Sequence, residues 1–284
     1  MTYIENRKLI LHALYNDDWL YNQLVLKGGN ALSMIYQIGK RTSLDLDFSI
    51  QNDFTNIKKV SNRIEKALIK TFSKNGIHVF DFSFNPKPKK VTNYWWGGYC
   101  AEFKLIAKNL AEKLEYKIDS LRRQSFQVDP GSQKRKYSIE ISKFEYIDGF
   151  NTKEFEGMRI LVYSPLLLAV EKLRALLQQH PNYSQISVNI KGSRSRNLYD
   201  IWTICEHFVI NLGAHLEVVQ AVFNAKRVDM NLLNDLDSVK ALHYASWPDV
   251  ELSIAEDIED FDFYFDFVNN SAKELYSKWK INSP

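Results

Sequence analysis

Apolar residues recur at helical spacing from residue 4 to residue 24, which predicts one amphipathic helix or two short ones. Residues 23–27 (QLVLK) read as a short apolar strand running into Gly28-Gly29. Asn30 is then placed to cap a helix over 31–38 that Gly39 closes. At 43–50 (SLDLDFSI) the period changes to strict polar–apolar alternation, the mark of a half-buried strand. Helical spacing returns over 54–74, with a basic outer face, and stops at Asn75-Gly76. Three strand-like runs follow, 77–84, 99–107 and 136–146, separated by a Lys/Pro loop at 85–90 and a helix over 110–123. Residues 158–163 form the last predicted strand, and Ser164-Pro165 opens a helix with proline in its first turn. Beyond 164 only helical patterns occur, broken at 181–193, 211–213, 228–229 and 247–248.

Strands therefore belong to the first 160 residues and helices alone to the last 120. The expected fold class is α+β: a mixed sheet with flanking helices over 1–160, followed by a C-terminal helical bundle over 161–284. With 284 residues, 45% apolar and 25% charged, a disordered chain, a collagen and a disulfide miniprotein are excluded. Thirty-seven basic against 34 acidic residues leave a net charge of +3, so any nucleic-acid contact must come from local patches. Cys100 and Cys205 are too few for a disulfide scaffold or a four-cysteine zinc site and suit a reducing compartment. No basic-then-apolar signal pattern opens the sequence, and no apolar run reaches the ~18 residues of a membrane span. A soluble, cytoplasmic protein with no membrane partner is expected.

Candidate chemistry concentrates in one strand–turn–helix–strand unit. Asp45 and Asp47, two apart on a strand, project from the same face with Cβ atoms roughly 7 Å apart. Carboxylates this close repel unless a positive charge sits between them. Mg²⁺ prefers oxygen ligands and is typically held by one or two carboxylates together with substrate phosphates. A Gly-Gly turn at a helix start lets backbone N–H groups approach phosphate oxygens. Asp-x-Asp and Gly-Gly are each commonplace on ordinary surfaces; their order, with a strand on each side, makes the unit specific.

The line KGGN-ALSMIYQIGK-RTSLDLDF resembles the first motif of the AbiEii/AbiGii-type toxin nucleotidyltransferases, a Gly-Gly-(Thr/Ser) turn followed by Arg-x-Ser-x-Asp-x-Asp. Residues 171–177 (EKLRALL) and 196–202 (RNLYDIW) resemble that family's later EKLxALL and RDLYDLW blocks, so the likeness spans about residues 20–210. It implies a nucleotidyltransferase fold of the polymerase-β type, an NTP substrate and Mg²⁺ or Mn²⁺. By match, Gly28, Gly29 and Asn30 would hold the triphosphate, Asp45 and Asp47 the metal, and Lys172 and Arg196 would neutralise phosphate charge. Asp200 falls on the aspartate of the last block. Such enzymes need a third carboxylate on a neighbouring strand, for which Glu140, in the alternating run 137–141, comes first and Glu102 second. Ser43 would donate a hydrogen bond to phosphate, and Arg41 would either clamp phosphate or pair with a carboxylate. Lys172 has a rival reading as a solvated helix charge, and Arg174 reads as support for the fold or surface. The sequence departs from the family at Asn30 (Thr or Ser), Gln179 (Arg) and Asn197 (Asp), and residues 180–195 read as an insertion.

The resemblance further implies NMP transfer to an acceptor, with RNA and tRNA foremost, by the toxin of a toxin–antitoxin or phage-defence pair with a cognate antitoxin. A small-molecule or protein acceptor and a non-catalytic nucleotide-binding module are the rival classes. Lysines 87, 89 and 90 beside Tyr94-Trp95-Trp96 suit single-stranded or looped RNA, against the alternative that the tryptophans are core. Lys134-Arg135-Lys136 and Lys191, Arg194 and Arg196 are further basic clusters. Six scattered histidines show no metal-ligand spacing, and Cys205 reads as a buried hydrophobe. Residues 251–266 carry seven acids and no base, with aromatics that would pack a C-terminal helix onto the bundle.

Overall fold

The computed structural model describes residues 3–38, 45–90, 93–129, 131, 133–183, 192–254 and 257–282. Its strands are β1 (Val25–Lys27), β2 (Leu46–Ser49), β3 (Ile77–Lys87), β4 (Gly98–Ala107), β5 (Tyr137–Ser142), β6 (Phe150–Phe155) and β7 (Met158–Tyr163). They form one mixed sheet in the order β3-β4-β5-β2-β1-β7-β6, in which β2/β5 and β1/β7 are parallel. The strands end at Tyr163, and every regular element described after it is helical. The α+β class and the order of sheet and helices follow the sequence pattern.

Alternation decides which side of the sheet is core. Leu46 and Phe48 on β2, Ile139 and Ile141 on β5, and Ala101 and Phe103 on β4 are buried. Two helices cover that side, α1 (Tyr3–Tyr15) and α2 (Ile57–Lys74), bringing Tyr15 to 6.2 Å from Phe48 and Phe72 to 6.4 Å from Phe103 between ring centroids. In α2 the buried residues Val60, Ile64, Leu68 and Phe72 recur every fourth position, and the Asn56 side chain caps the helix by accepting from Lys59 N–H at 2.9 Å. In α3 (Pro165–Leu177), the Ser164 hydroxyl accepts from Leu167 N–H, and proline stands where no intrahelical donor is needed. Behind it lie α4 (Ser195–Phe208), α5 (Leu216–Ala225) and α6 (Phe261–Asn282). Tyr264 of α6 packs against Tyr199, Trp202 and Trp247 at 5.3–5.5 Å, so the aromatics of the acidic stretch do anchor a C-terminal helix.

Of the two arrangements expected for residues 4–24 the chain adopts two helices, α1 and a turn at Asp18–Tyr21 capped by Asp17. Several other local expectations are corrected. Asn30 is no cap: Gly28–Asn30 is already helical and leads into a π-helical stretch, Ala31–Ile35, and the Asn30 amide instead donates to the Asp45 carbonyl at 2.7 Å. Gly39, the expected stop, lies outside the described residues. The Lys/Pro segment is paired through Lys87, tolerable for Pro86 because β3 is an edge strand. The helix over 110–123 is two, Lys108–Lys113 and Ile118–Gln124, broken where Glu115 and Tyr116 take positive φ. Strand β6 carried no apolar alternation because it is an exposed edge paired only with β7 through the Gly157 turn.

Candidate active site

The face of the sheet opposite α1 and α2 carries the polar positions of the same strands. Register sets Lys27 of β1 opposite Asp47 of β2, Asp47 beside Glu140 of β5, and Glu140 opposite Cys100 of β4. Of the two third-carboxylate candidates, Glu140 is therefore the immediate neighbour of Asp47, whereas Glu102 pairs with Ser138 one step further along and holds Lys136 at 3.3 Å. Gly28, the residue after β1, has φ +71°, and a Cβ there would lie 2.6 Å from Asp47 Oδ2. A side chain at this turn would collide with the carboxylate, so the position requires glycine on both counts.

Lysine compensates two of the three acids. Asp45 accepts from the Ser138 hydroxyl and from Lys134 Nζ at 2.9 Å; burial alone would raise its pKa, but these partners hold it below the usual carboxylate range. Glu140 accepts from Lys87 Nζ. Asp47 has no ion pair among the described residues, and its carboxyl is pushed up to about 7, first by burial, against the attraction of Lys27 and with the repulsion of Glu140, Glu171 and Asp45. Among the described residues no three His, Cys, Asp or Glu side chains converge as a metal cluster. The donor set itself suits a divalent cation: oxygens only, adjacent in register, and centred on a buried carboxyl that its acidic neighbours destabilise as an anion.

A cleft of about 510 Å³ opens over this row. Gly28, Asp47, Glu140 and Lys172 line it; Asp45 stands on the same face with its side chain 35% exposed but is not part of the lining. Lys172 is no solvated charge: it is buried and donates to Asp200 Oδ2 at 2.6 Å. Asn197 donates to the Lys172 carbonyl, so the departure from aspartate there still serves the α3–α4 contact. Asn30 is buried under Asp45 rather than facing the cleft. Arg196 is exposed and outside the lining, which contains Arg194 in its place. Arg41 and Ser43 lie outside the described residues. Gln179, standing for an arginine, is buried and accepts from Gly192 N–H.

The family described as "Nucleotidyl transferase AbiEii toxin, Type IV TA system" matches residues 10–268. The chain belongs to the AbiEii family. The match extends well beyond the 20–210 carried by the motifs and reaches into the first turns of α6. Among solved structures, the chain is similar to JHP933 from Helicobacter pylori (18% identical, 99% of this chain and 93% of that chain, TM-score 0.49). It is also similar to the nucleotidyltransferase toxin MenT4 from Mycobacterium tuberculosis (13%, 96% and 92%, 0.44). A third likeness is to an antigenic nucleotidyltransferase-like protein from Paracoccidioides brasiliensis (16%, 82% and 93%, 0.40). No curated protein matches. No helix among the described residues is long and apolar enough to cross a membrane.

Sequence reasoning missed the charge network that forms the cleft's inner wall in this AbiEii-family chain. Buried Glu145 is approached by Arg174 at 3.1 Å, Lys226 at 3.4 Å and Lys27 at 3.6 Å, while Glu171 takes Lys27 at 2.5 Å and Arg174 at 3.3 Å. Burial alone would lower the Lys27 pKa, but Glu145 and Glu171 keep it above its ordinary value and firmly charged. Burial dominates at Lys226, pulled down to about 8 despite Glu145. Lys27 and Glu171 each open a quoted motif, a usable signal; Glu145 and Lys226 lie in none. Arg174 supports the fold, as its sequence context suggested.

Proposed function

We propose that this protein moves an NMP from an NTP to an RNA acceptor, tRNA foremost, with a divalent cation, as the toxin of a pair with a cognate antitoxin in the cytoplasm. The observation that carries this reading is the row Lys27–Asp47–Glu140, a base and two acids side by side on three strands beneath a glycine turn that tolerates no side chain. Asp45, Asp47 and Glu140 would hold Mg²⁺ or Mn²⁺. Bound there, the cation would neutralise phosphate charge and favour ionisation of an acceptor hydroxyl. The acceptor oxygen forms a bond to the α-phosphorus, the α–β bridging bond breaks, and pyrophosphate departs; such transfers depend on alignment and charge more than on covalent help.

The chain's own residues supply alignment. Gly28 lets the backbone at the end of β1 approach a triphosphate, with Gly29 continuing the turn. Asn30 positions Asp45 through its carbonyl, a supporting part instead of direct phosphate contact. Lys172, fixed by Asp200, supplies a positive charge in the cleft wall, with Arg194 at the same cleft and Arg196 beyond it. Of the aromatic cluster at 94–96, Trp95 is buried beneath Arg227 and Trp96 lies under Lys226, which leaves Tyr94, 77% exposed, with Lys89 and Lys90 as the accessible part.

The test is incubation with each labelled NTP in turn, Mg²⁺ and total RNA. One label should become RNA-bound with the native chain and with neither Asp45→Asn nor Asp47→Asn. Retained incorporation in both variants would overturn the mechanism; failure with all four NTPs would overturn the RNA acceptor.

A further inference from the structure

The outer side of α2 carries charge of nearly one sign. Lys58, Lys59, Arg63, Lys66, Lys70 and Lys74 line a groove of about 880 Å³ between this helix and the end of α1. From Lys59 to Lys74 these cations follow at steps of four, three, four and four residues, spacing that keeps them on one helix face. Over that stretch the helix advances ~22 Å, about one cation per 5.4 Å turn. Asp17 is the only acid in the lining among the described residues, and it is engaged: it accepts from the N–H groups of Trp19 and Leu20 and takes Arg63 at 2.7 Å. The five lysines make no ion pair among the described residues and are exposed. Because α2 turns its apolar row to the face of the sheet opposite Asp47 and Glu140, this groove lies on the other side of the protein from the cleft.

We propose that the groove binds the phosphodiester backbone of a structured RNA. A row of cations in which only Arg63 is compensated repels itself, and a polyanion relieves that repulsion while releasing its own condensed counterions. Asn56, Asn62 and Thr71 add neutral donors of the kind that meet phosphate and sugar oxygens. Among the described residues Ala13 and Ala67 are the only apolar ones in the lining, and the ring beside it, Trp19, is already covered by Arg63 at 5.6 Å. Unstacked single-stranded bases would need open aromatic rings, and a protein partner would need pockets for large apolar anchors. The groove therefore selects a backbone, as a base-paired RNA presents it.

The test measures binding, so the groove stands or falls apart from the transfer reaction. The full chain and its Lys59→Gln/Lys66→Gln/Lys70→Gln variant are titrated with a labelled RNA hairpin at several salt concentrations. A second triple variant, Lys273→Gln/Lys278→Gln/Lys280→Gln on α6, removes the same charge elsewhere. The groove variant should bind at least about tenfold more weakly at low salt, and its slope of log affinity against log salt should be smaller by about 2–3. Between about 50 and 200 mM salt the native chain should then lose roughly 40-fold more affinity than the variant. The α6 variant should keep the native slope. Unchanged binding in the groove variant, or equal loss in both variants, would overturn the proposal. A poly-glutamate peptide that binds as tightly as the hairpin and is lost in the same variant would also overturn it, in favour of an acidic protein.

Discussion

Glu145 is the single acid on which three buried cations converge, so removing its charge while keeping its shape is the sharpest perturbation of the fold. In Glu145→Gln, Lys27 and Arg174 would share Glu171, and Lys226 would retain the Lys143 carbonyl at 2.6 Å. Removing one partner of a buried ion pair costs about 3–5 kcal/mol because the other charge stays desolvated. Lys226, already pulled down to about 8, has the easiest escape by losing its proton, which places the cost near the low end, about 3 kcal/mol. At roughly 2–4 °C per kcal/mol for a chain of this size, the melting temperature at neutral pH should fall by about 6–12 °C. The pH dependence has a definite sign. Burial by itself would raise the Glu145 pKa, but Arg174, Lys27 and Lys226 hold it well below the usual carboxylate range. Its stabilisation is therefore complete above the unfolded value near 4.5 and fades as the pH falls through the lower folded value, so the gap between native and variant should close in acid. Adding Lys226→Met to the variant should restore much of the loss. Thermal and urea unfolding of the three proteins decide it: a shift under about 2 °C in Glu145→Gln, or a double variant worse than the single one by the full cost of a second residue, would refute the network.

Gly28→Ala should lose about 1–3 kcal/mol from its positive φ, and displacement of Asp47 should lower transfer by about 100-fold; near-native transfer would show that the close approach is not required. Lys172→Met should destabilise by about 3–5 kcal/mol by removing the buried cation beside the Asp200 carboxylate, while Lys172→Met/Asp200→Leu should recover most of it; equal stability of the single variant would show that the buried pair is not holding α3 to α4. Asp47, raised to about 7, favours its neutral form in the fold, so its contribution is full below the unfolded value near 4 and lost as the pH rises through 7. Without added metal, Asp47→Asn should therefore melt above the native chain at pH 8, by up to about 4 kcal/mol, with the gap vanishing near pH 4; a gap independent of pH would contradict the crowding.

The sequence was most legible where a period and a chemical motif coincided. SLDLDFSI announced both a strand and its acidic face, and the alternation of 137–141 pointed to Glu140, because a register partner must itself sit on a two-residue period. It was silent at β6, whose two exposed faces need no apolar pattern, and at Asn30, where a tertiary bond to the Asp45 carbonyl outweighs a local preference for capping. The rival reading of Lys172 as a solvated charge fails for a related reason: beside Glu171 on a helix it reads as surface, and only the arrival of α4 with Asp200 turns it inward. The Glu145 network belongs to the same class. Its members come from residues 27, 145, 171, 174 and 226, and no local window contains that meeting.

The net charge of +3 thus conceals two opposite arrangements on the two faces of one sheet. On the cleft face acids and bases interleave: Lys134 with Asp45, Lys87 with Glu140, Lys27 with Glu171, Lys172 with Asp200. Interleaving nearly cancels the field at a distance while leaving strong local gradients around Asp47, which suits a small, multiply charged ligand held within a few ångströms. Along the α2 groove the cations accumulate with one acid, already engaged, in the described lining; neighbours about one turn apart reinforce each other, and the row runs ~22 Å, longer than the ~8 Å reach of screening at physiological salt. Only a ligand that repeats its charge along the groove can meet all of those cations at once. A nucleoside triphosphate fits the first face and a nucleic-acid backbone the second, so binding to the two faces should differ most clearly in its dependence on salt.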